Sequence, residues 1–168
     1  MIRIGKIVAS HGLGGDVIMT HVTGRNNWLK VGDVLFVAVH KESFIPFYVS
    51  NIKSAGKEEM IIHLEDTNTV EGAKKLVTRE VFVQEDVLAK SGADSPLLWI
   101  GFELVDTKLG VIGPVVDVFQ TPTQWLGTVL FQGKEAMIPL ITPIFKKVDI
   151  KQQKVFVDLP DGLLEVYL

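Results

Sequence analysis

The sequence predicts an all-β protein, and three observations carry that prediction. Short runs rich in Val, Ile and Phe recur at close spacing between Gly, Pro, Asn and Asp, the punctuation of β-sandwiches and barrels. A helical period occurs in one short place only, near residues 69–78. The stretch from Asp86 to Pro96 mixes Ala, Lys, Ser, Gly, Asp and Pro without a strand period, as a connection between two units does. The expected organisation is therefore a first unit over residues 1–86, a linker over 87–95 and a second unit over 96–168.

In the first unit, strands are expected near Ile2 to Ser10, Val17 to His21, Val34 to Val39, Phe44 to Ile52, Met60 to Leu64 and Glu80 to Gln84. Gly12-Leu13-Gly14-Gly15 separates the first two and reads as a turn needing positive φ, which glycine adopts without steric cost. The helix is expected to start at Asn68, with Glu71 three residues later in capping-box position and Val70, Ala73, Leu76 and Val77 at helical spacing. In the second unit the expected strands are Phe102 to Val105, Val115 to Phe119, Gly127 to Phe131, Glu135 to Pro139, Phe145 to Ile150 and Val155 to Asp158. Lys151-Gln152-Gln153-Lys154 separates two alternating runs, which predicts a hairpin whose Val148, Ile150, Val155 and Val157 share a buried face.

At 168 residues with 47% hydrophobic and 22% charged residues, the chain can bury a core, and disordered or collagen-like classes are excluded. The formal charge of −3 excludes a globally basic nucleic-acid-binding domain, so any RNA contact must be local. Before Gly92 the chain carries eleven Lys/Arg against eleven Asp/Glu, and after it six against nine. The first half is thus the better candidate for touching phosphate. Without cysteine there is no disulfide framework, thiolate metal site or cysteine nucleophile, and the cytosol is the expected compartment. No apolar run approaches the ~18 residues of a membrane span, and Arg3, Gly5 and Lys6 interrupt any secretory core at the start.

Catalytic patterns fail on their spacing. The glycine cluster at 12–15 lacks the Lys-Ser/Thr pair of a phosphate loop, and the dinucleotide fingerprint would need Gly where Val17 stands. Ser10 and His11, adjacent in a strand, point to opposite faces and cannot act as nucleophile and base. His11, His21, His40 and His63 have no metal-ligand spacing, and each reads as a surface or loop residue. Glu58-Glu59 and Glu65-Asp66 read as solvated strand ends. No enzyme, cofactor or metal is expected.

The run Gly5-Lys6-Ile7-Val8-Ala9-Ser10-His11-Gly12-Leu13-Gly14-Gly15-Asp16-Val17 resembles the opening of the RimM family of ribosome maturation factors. Glu71-Gly72-Ala73, Leu76-Val77 and Arg79-Glu80-Val81-Phe82-Val83 are similar to the helix and strand that close that family's first domain. Gly101-Phe102-Glu103-Leu104-Val105-Asp106, Ile138-Pro139, Lys147-Val148-Asp149 and Val157-Asp158-Leu159-Pro160-Asp161-Gly162-Leu163-Leu164-Glu165 resemble its PRC-barrel domain.

The resemblance implies two small β-barrels in tandem, one similar to a translation-factor domain and one a PRC barrel. It also implies a non-catalytic role: binding the immature small (30S) subunit at its head, near the 3′ domain of 16S rRNA and a head ribosomal protein, and promoting rRNA processing. Where the family often carries basic residues, this chain has Gly14 and Ile18. Arg3, Lys6, Arg25 and Lys30 are the candidate phosphate contacts instead, with His11 as a polar loop contact. Where the family commonly shows adjacent tyrosines before Gly101, this chain has Asp94 and Ser95, so Trp99, Phe119 and Trp125 are the candidate aromatics for the ribosomal protein. The protein is expected to be a monomer.

Overall fold

The computed structural model describes residues 1–23, 27–91 and 95–168, and their contacts divide into two units, Met1–Leu98 and Trp99–Leu168.

The first unit is a closed six-stranded barrel. Its strands are β1 (Ile2–His11), β2 (Asp16–His21), β3 (Val34–His40), β4 (Ser43–Ser54), β5 (Glu59–Leu64) and β6 (Glu80–Val83), ordered β1-β2-β5-β4-β3-β6 and closed by β6 on β1. Alternation explains why these segments are strands. In β2 and β5 every second side chain is buried, and Val17, Met19, Met60 and Ile62 join Ile4, Ile7, Leu35, Val37, Val81 and Val83 inside the barrel. Closure leaves no free sheet edge along most of the unit.

The β1–β2 turn depends on glycine in the expected way. Gly12 and Gly15 have φ of 63° and 91°, and a Cβ on Gly15 would lie 2.0 Å from the Thr67 carbonyl oxygen. Only a residue without a side chain lets the two backbones approach so closely.

Helix α1 (Val70–Leu76) buries Ala73 and Leu76 and packs against β1 and β2. Its cap lies one residue later than the sequence predicts: the Thr69 hydroxyl accepts from the Gly72 backbone N–H at 3.0 Å. Asn68 instead places its side-chain oxygen 3.2 Å from His63 Nε2. Thr and Asn are both competent caps, so local chemistry could not choose between neighbours. A second departure is α2 (Glu85–Ser91), a helix inside the stretch expected to be an irregular connection. Leu88 is fully buried, and that anchor ties the helix to the first unit. A third is His21, expected at the surface but buried, its Nδ1 2.9 Å from the Thr23 hydroxyl and its ring beside Trp28.

The second unit is a six-stranded sheet of β7 (Glu103–Asp106), β8 (Gly110–Gln120), β9 (Trp125–Phe131), β10 (Lys134–Pro139), β11 (Phe145–Asp149) and β12 (Lys154–Val157), ordered β10-β9-β8-β7-β12-β11. All pairings are antiparallel except β7 with β12. β8 turns the corner of the sheet: residues 110–114 pair with β7 and 115–120 with β9. At the bend a Cβ on Gly113 would lie 2.0 Å from the Leu130 carbonyl oxygen. The hairpin over Lys151 to Lys154 forms as expected, with Val148 opposite Val155. Val155 and Val157 are fully buried, whereas Val148 and Ile150 are only half-buried, because they sit on and beyond the outermost strand of the sheet.

Candidate functional site

Among the predicted phosphate contacts, Arg3 and Lys6 lie on β1, and both are exposed. Three residues apart in a regular strand they would face opposite ways. A register shift between Arg3 and Gly5 against β6 turns both to the outside, since the extra residue of a bulge resets the alternation. Arg3 donates from Nε to Glu80 Oε1 at 2.7 Å, so part of its charge is already countered. His11 is exposed at the far end of the same strand, about 17 Å from Lys6 at ~3.4 Å per residue. Lys30 is elsewhere, lining a cleft of about 140 Å³ with Trp28, Asp33, Asp86, Val87 and Lys90, where two carboxylates balance two ammonium groups. Arg25 lies outside the described residues. The structure thus brings Arg3 and Lys6 onto one face and leaves His11 and Lys30 at separate places.

Of the aromatic candidates, Trp99 is 5% exposed and stacks on Phe145 with centroids 4.9 Å apart and planes 9° from parallel. Its ring belongs to the second unit's core. Phe119 is 37% exposed on the outer side of β8 and pairs in register with half-buried Leu126. Trp125 is half-buried at the start of β9. Exposed Leu130 and Met137 lie on the neighbouring strands β9 and β10.

Two features were not legible in the sequence. The first is a carboxylate that pins the second unit. Asp106, at the end of β7, is almost wholly buried. Its Oδ1 accepts from the Lys108 and Leu109 backbone N–H groups at 2.9 and 2.8 Å, and its Oδ2 accepts from the Leu159 N–H at 2.7 Å. Burial by itself would raise its pKa, but the three N–H donors and nearby Lys108 outweigh that and hold the carboxyl below its ordinary value. Lys108 in turn bonds Asp161 at 3.1 Å, and that contact raises the ammonium's pKa. Asp106, Asp158-Leu159-Pro160-Asp161 and the β7–β8 turn are thereby tied into one structure.

The second is a groove at one end of the first unit's barrel. From Ser43 to Tyr48, β4 has ladder partners only in β3; its pairing with β5 starts at Val49. Pairing of β3 with β6 stops at Val37. The β3–β4 hairpin therefore projects past the closed part, and Pro46, which cannot donate to a ladder, sits in the singly paired segment. Ile45 and Phe47 lie opposite Val37 and Leu35, on the inward face, yet Ile45 is 43% exposed because no further strand covers it. The opposite wall is the end of α1 and the loop after it, with Lys75, Leu76 and Arg79. The space is about 590 Å³ and is also lined by Val39, His40, Thr67 and Gly72.

A model of the RimM N-terminal domain matches residues 2–88, and one of the RimM PRC barrel domain matches residues 99–163. The chain belongs to the RimM family. Two relatives, each called ribosome maturation factor RimM, match over 98% of this chain. The protein of Flavobacterium psychrophilum is 30% identical with 95% of its length covered, and that of Prochlorococcus marinus is 31% identical with 96% covered. A crystal structure of a putative 16S ribosomal RNA processing protein RimM from Pseudomonas aeruginosa aligns over 95% of this chain and 97% of that one, at 17% identity and a TM-score of 0.46. The two family models match the two units in order, a RimM N-terminal domain followed by a PRC barrel domain. No helix among the described residues is long and apolar enough to cross a membrane.

Proposed function

We propose that this RimM-family chain is a non-catalytic ribosome assembly factor that works in the cytoplasm, binds the head of the immature small subunit and promotes 16S rRNA processing. The observation that carries this reading is the match over both units in order, each to a RimM domain, with relatives named as ribosome maturation factors over nearly their full lengths. In this reading the first unit faces rRNA, with Arg3, Lys6, His11, Arg25 and Lys30 positioning phosphates without reading sequence. The second unit faces a ribosomal protein of the head. Phe119 is its anchor, on the sheet face that also carries Leu126, Leu130 and Met137, since an aromatic side chain in an exposed apolar patch is where protein contacts concentrate. Trp125, next to Leu126 in β9, is half-buried on the opposite face and is the weaker candidate. Two weak surfaces on one chain raise each other's effective concentration, so both units are needed.

The test is co-sedimentation of the purified chain with small subunits on density gradients, paired with rRNA analysis of a deletion strain. Binding that weakens with salt, with accumulated 16S precursor rescued by the full chain and by neither unit alone, is the expected result. Absence of binding together with a normal precursor profile would overturn the assembly role and favour a two-unit protein adaptor unrelated to ribosomes.

A further inference from the structure

We propose that the open end of the first unit's barrel is a binding groove for an unpaired RNA segment, with Lys75, Arg79 and His40 on phosphate and Phe47 and Ile45 against a base. The proposal rests on the ribosome reading above and names a contact surface that the candidates on β1 do not include.

Charge is the first reason for choosing RNA as the occupant. The groove's lining carries His40, Lys75 and Arg79 and, among the described residues that line it, no carboxylate. The cleft at Lys30 balances its cations with Asp33 and Asp86, and the cleft of about 260 Å³ around Asp106 sets Lys108 against Asp106, Asp161 and Glu165. Of these three clefts, in a chain of net negative charge, this one sets Lys75 and Arg79 against no carboxylate in its lining.

The second reason is how Arg79 is held. Its Nη1 donates to the Val39 backbone carbonyl at 2.7 Å, half-buried, and none of the ion pairs among the described residues involves Arg79 or Lys75. A neutral acceptor fixes the guanidinium's position without cancelling its charge. That leaves further donors in a rigid fork, the geometry that suits phosphate oxygens. Lys75 is exposed on the last turn of α1 and adds a mobile point charge.

The third reason is the floor. Phe47 and Ile45 present inward-facing apolar surface that the missing strand partners leave uncovered, and a base stacks on such a surface without regard to its identity. A duplex holds its bases in the stack, so the groove fits a single strand. The space of about 590 Å³ lies within the range of ~300–1,000 Å³ typical of pockets that hold small ligands, of which a nucleotide is one.

The experiment measures fluorescence anisotropy of a labelled single-stranded oligouridylate with the full chain, beside co-sedimentation of the same proteins with small subunits. Lys75→Gln should lower the slope of log affinity against log salt by about 0.7, one single-strand phosphate contact. Phe47→Leu, which keeps the apolar volume but removes the ring, should weaken oligouridylate by about fivefold or more, with an unchanged melting profile. His40→Ala, an exposed position, should add to the loss. A duplex of equal length should compete poorly. Oligouridylate binding that is absent in the parent chain, or the same in all three variants as in the parent, overturns the groove. Loss of small-subunit binding in the variants with oligouridylate binding unaffected overturns it in favour of a protein occupant. If the parent chain and the variants alike ignore small subunits, it is the assembly reading that fails, which the oligouridylate arm reports separately.

Discussion

The two units solve the problem of a small β domain in opposite ways. The first closes its ladder, β6 returning to β1, and its stability rests on a barrel interior made of aliphatic and methionine side chains. The second has a sheet whose end strands β10 and β11 are not paired with one another, and it places a buried carboxylate where its chain segments converge. The difference teaches where each unit can hold charge. The first unit's barrel interior is apolar, and Lys75 and Arg79 line its open end without a carboxylate in that lining. The second unit uses Asp106, Lys108 and Asp161 to hold itself together.

The strongest way to break this comparison is to put a charge in one core and watch the other. Val157→Asp places an unpaired carboxylate in the fully buried face of β12, which should destabilise the second unit by at least about 4 kcal/mol. The expected spectrum keeps dispersed NMR signals from β1–β6 and loses those of β7–β12. Loss of both sets would show that the two units fold as one.

Asp106→Asn sharpens it. The amide presents donors where the carboxylate oxygen now receives the Leu159 N–H, and the cost is about 2 to 3 kcal/mol, read as a lower urea midpoint for the second unit alone. Because the native carboxyl sits below its unfolded value, its stabilisation is complete above the unfolded pKa of about 3.9. It fades as pH falls through the lower native value. Acid titration should therefore unfold the parent's second unit more steeply than that of Asp106→Asn. Parallel acid curves would remove Asp106 from its role.

A smaller effect tests the first unit's helix. Thr69→Ala removes the cap on α1 and should cost about 1 kcal/mol, while Asn68→Ala should cost less. Reversed values would return the cap to Asn68. The smallest effect is expected at Arg3→Gln. Its pair with Glu80 is about half exposed on both sides, so thermal stability should change by no more than about 0.5 kcal/mol. A larger loss would mean that β1 and β6 need that pair to close the barrel.

Much of the architecture was readable from one dimension. Period-two burial in β2, β5, β6 and β12 follows directly from residue order, since a strand must send alternate side chains to opposite faces. The glycines at 12 and 15 announced their turn for the same local reason. The motifs at both ends of the chain were visible too, as was the family they resemble. Residue order could not say that a bulge would bring Arg3 and Lys6 to one face, that Trp99 would stack in a core, or that Leu88 would anchor a helix in an apparent linker. Nor could it find Asp106, whose three donors come from residues up to 53 positions away, or join His40 and Phe47 to Lys75 and Arg79 across a barrel end. Each of those depends on which strands pair and where pairing stops. Pairing is a contest between whole ladders and cores, so it is decided by the folded chain and not by any local stretch of it.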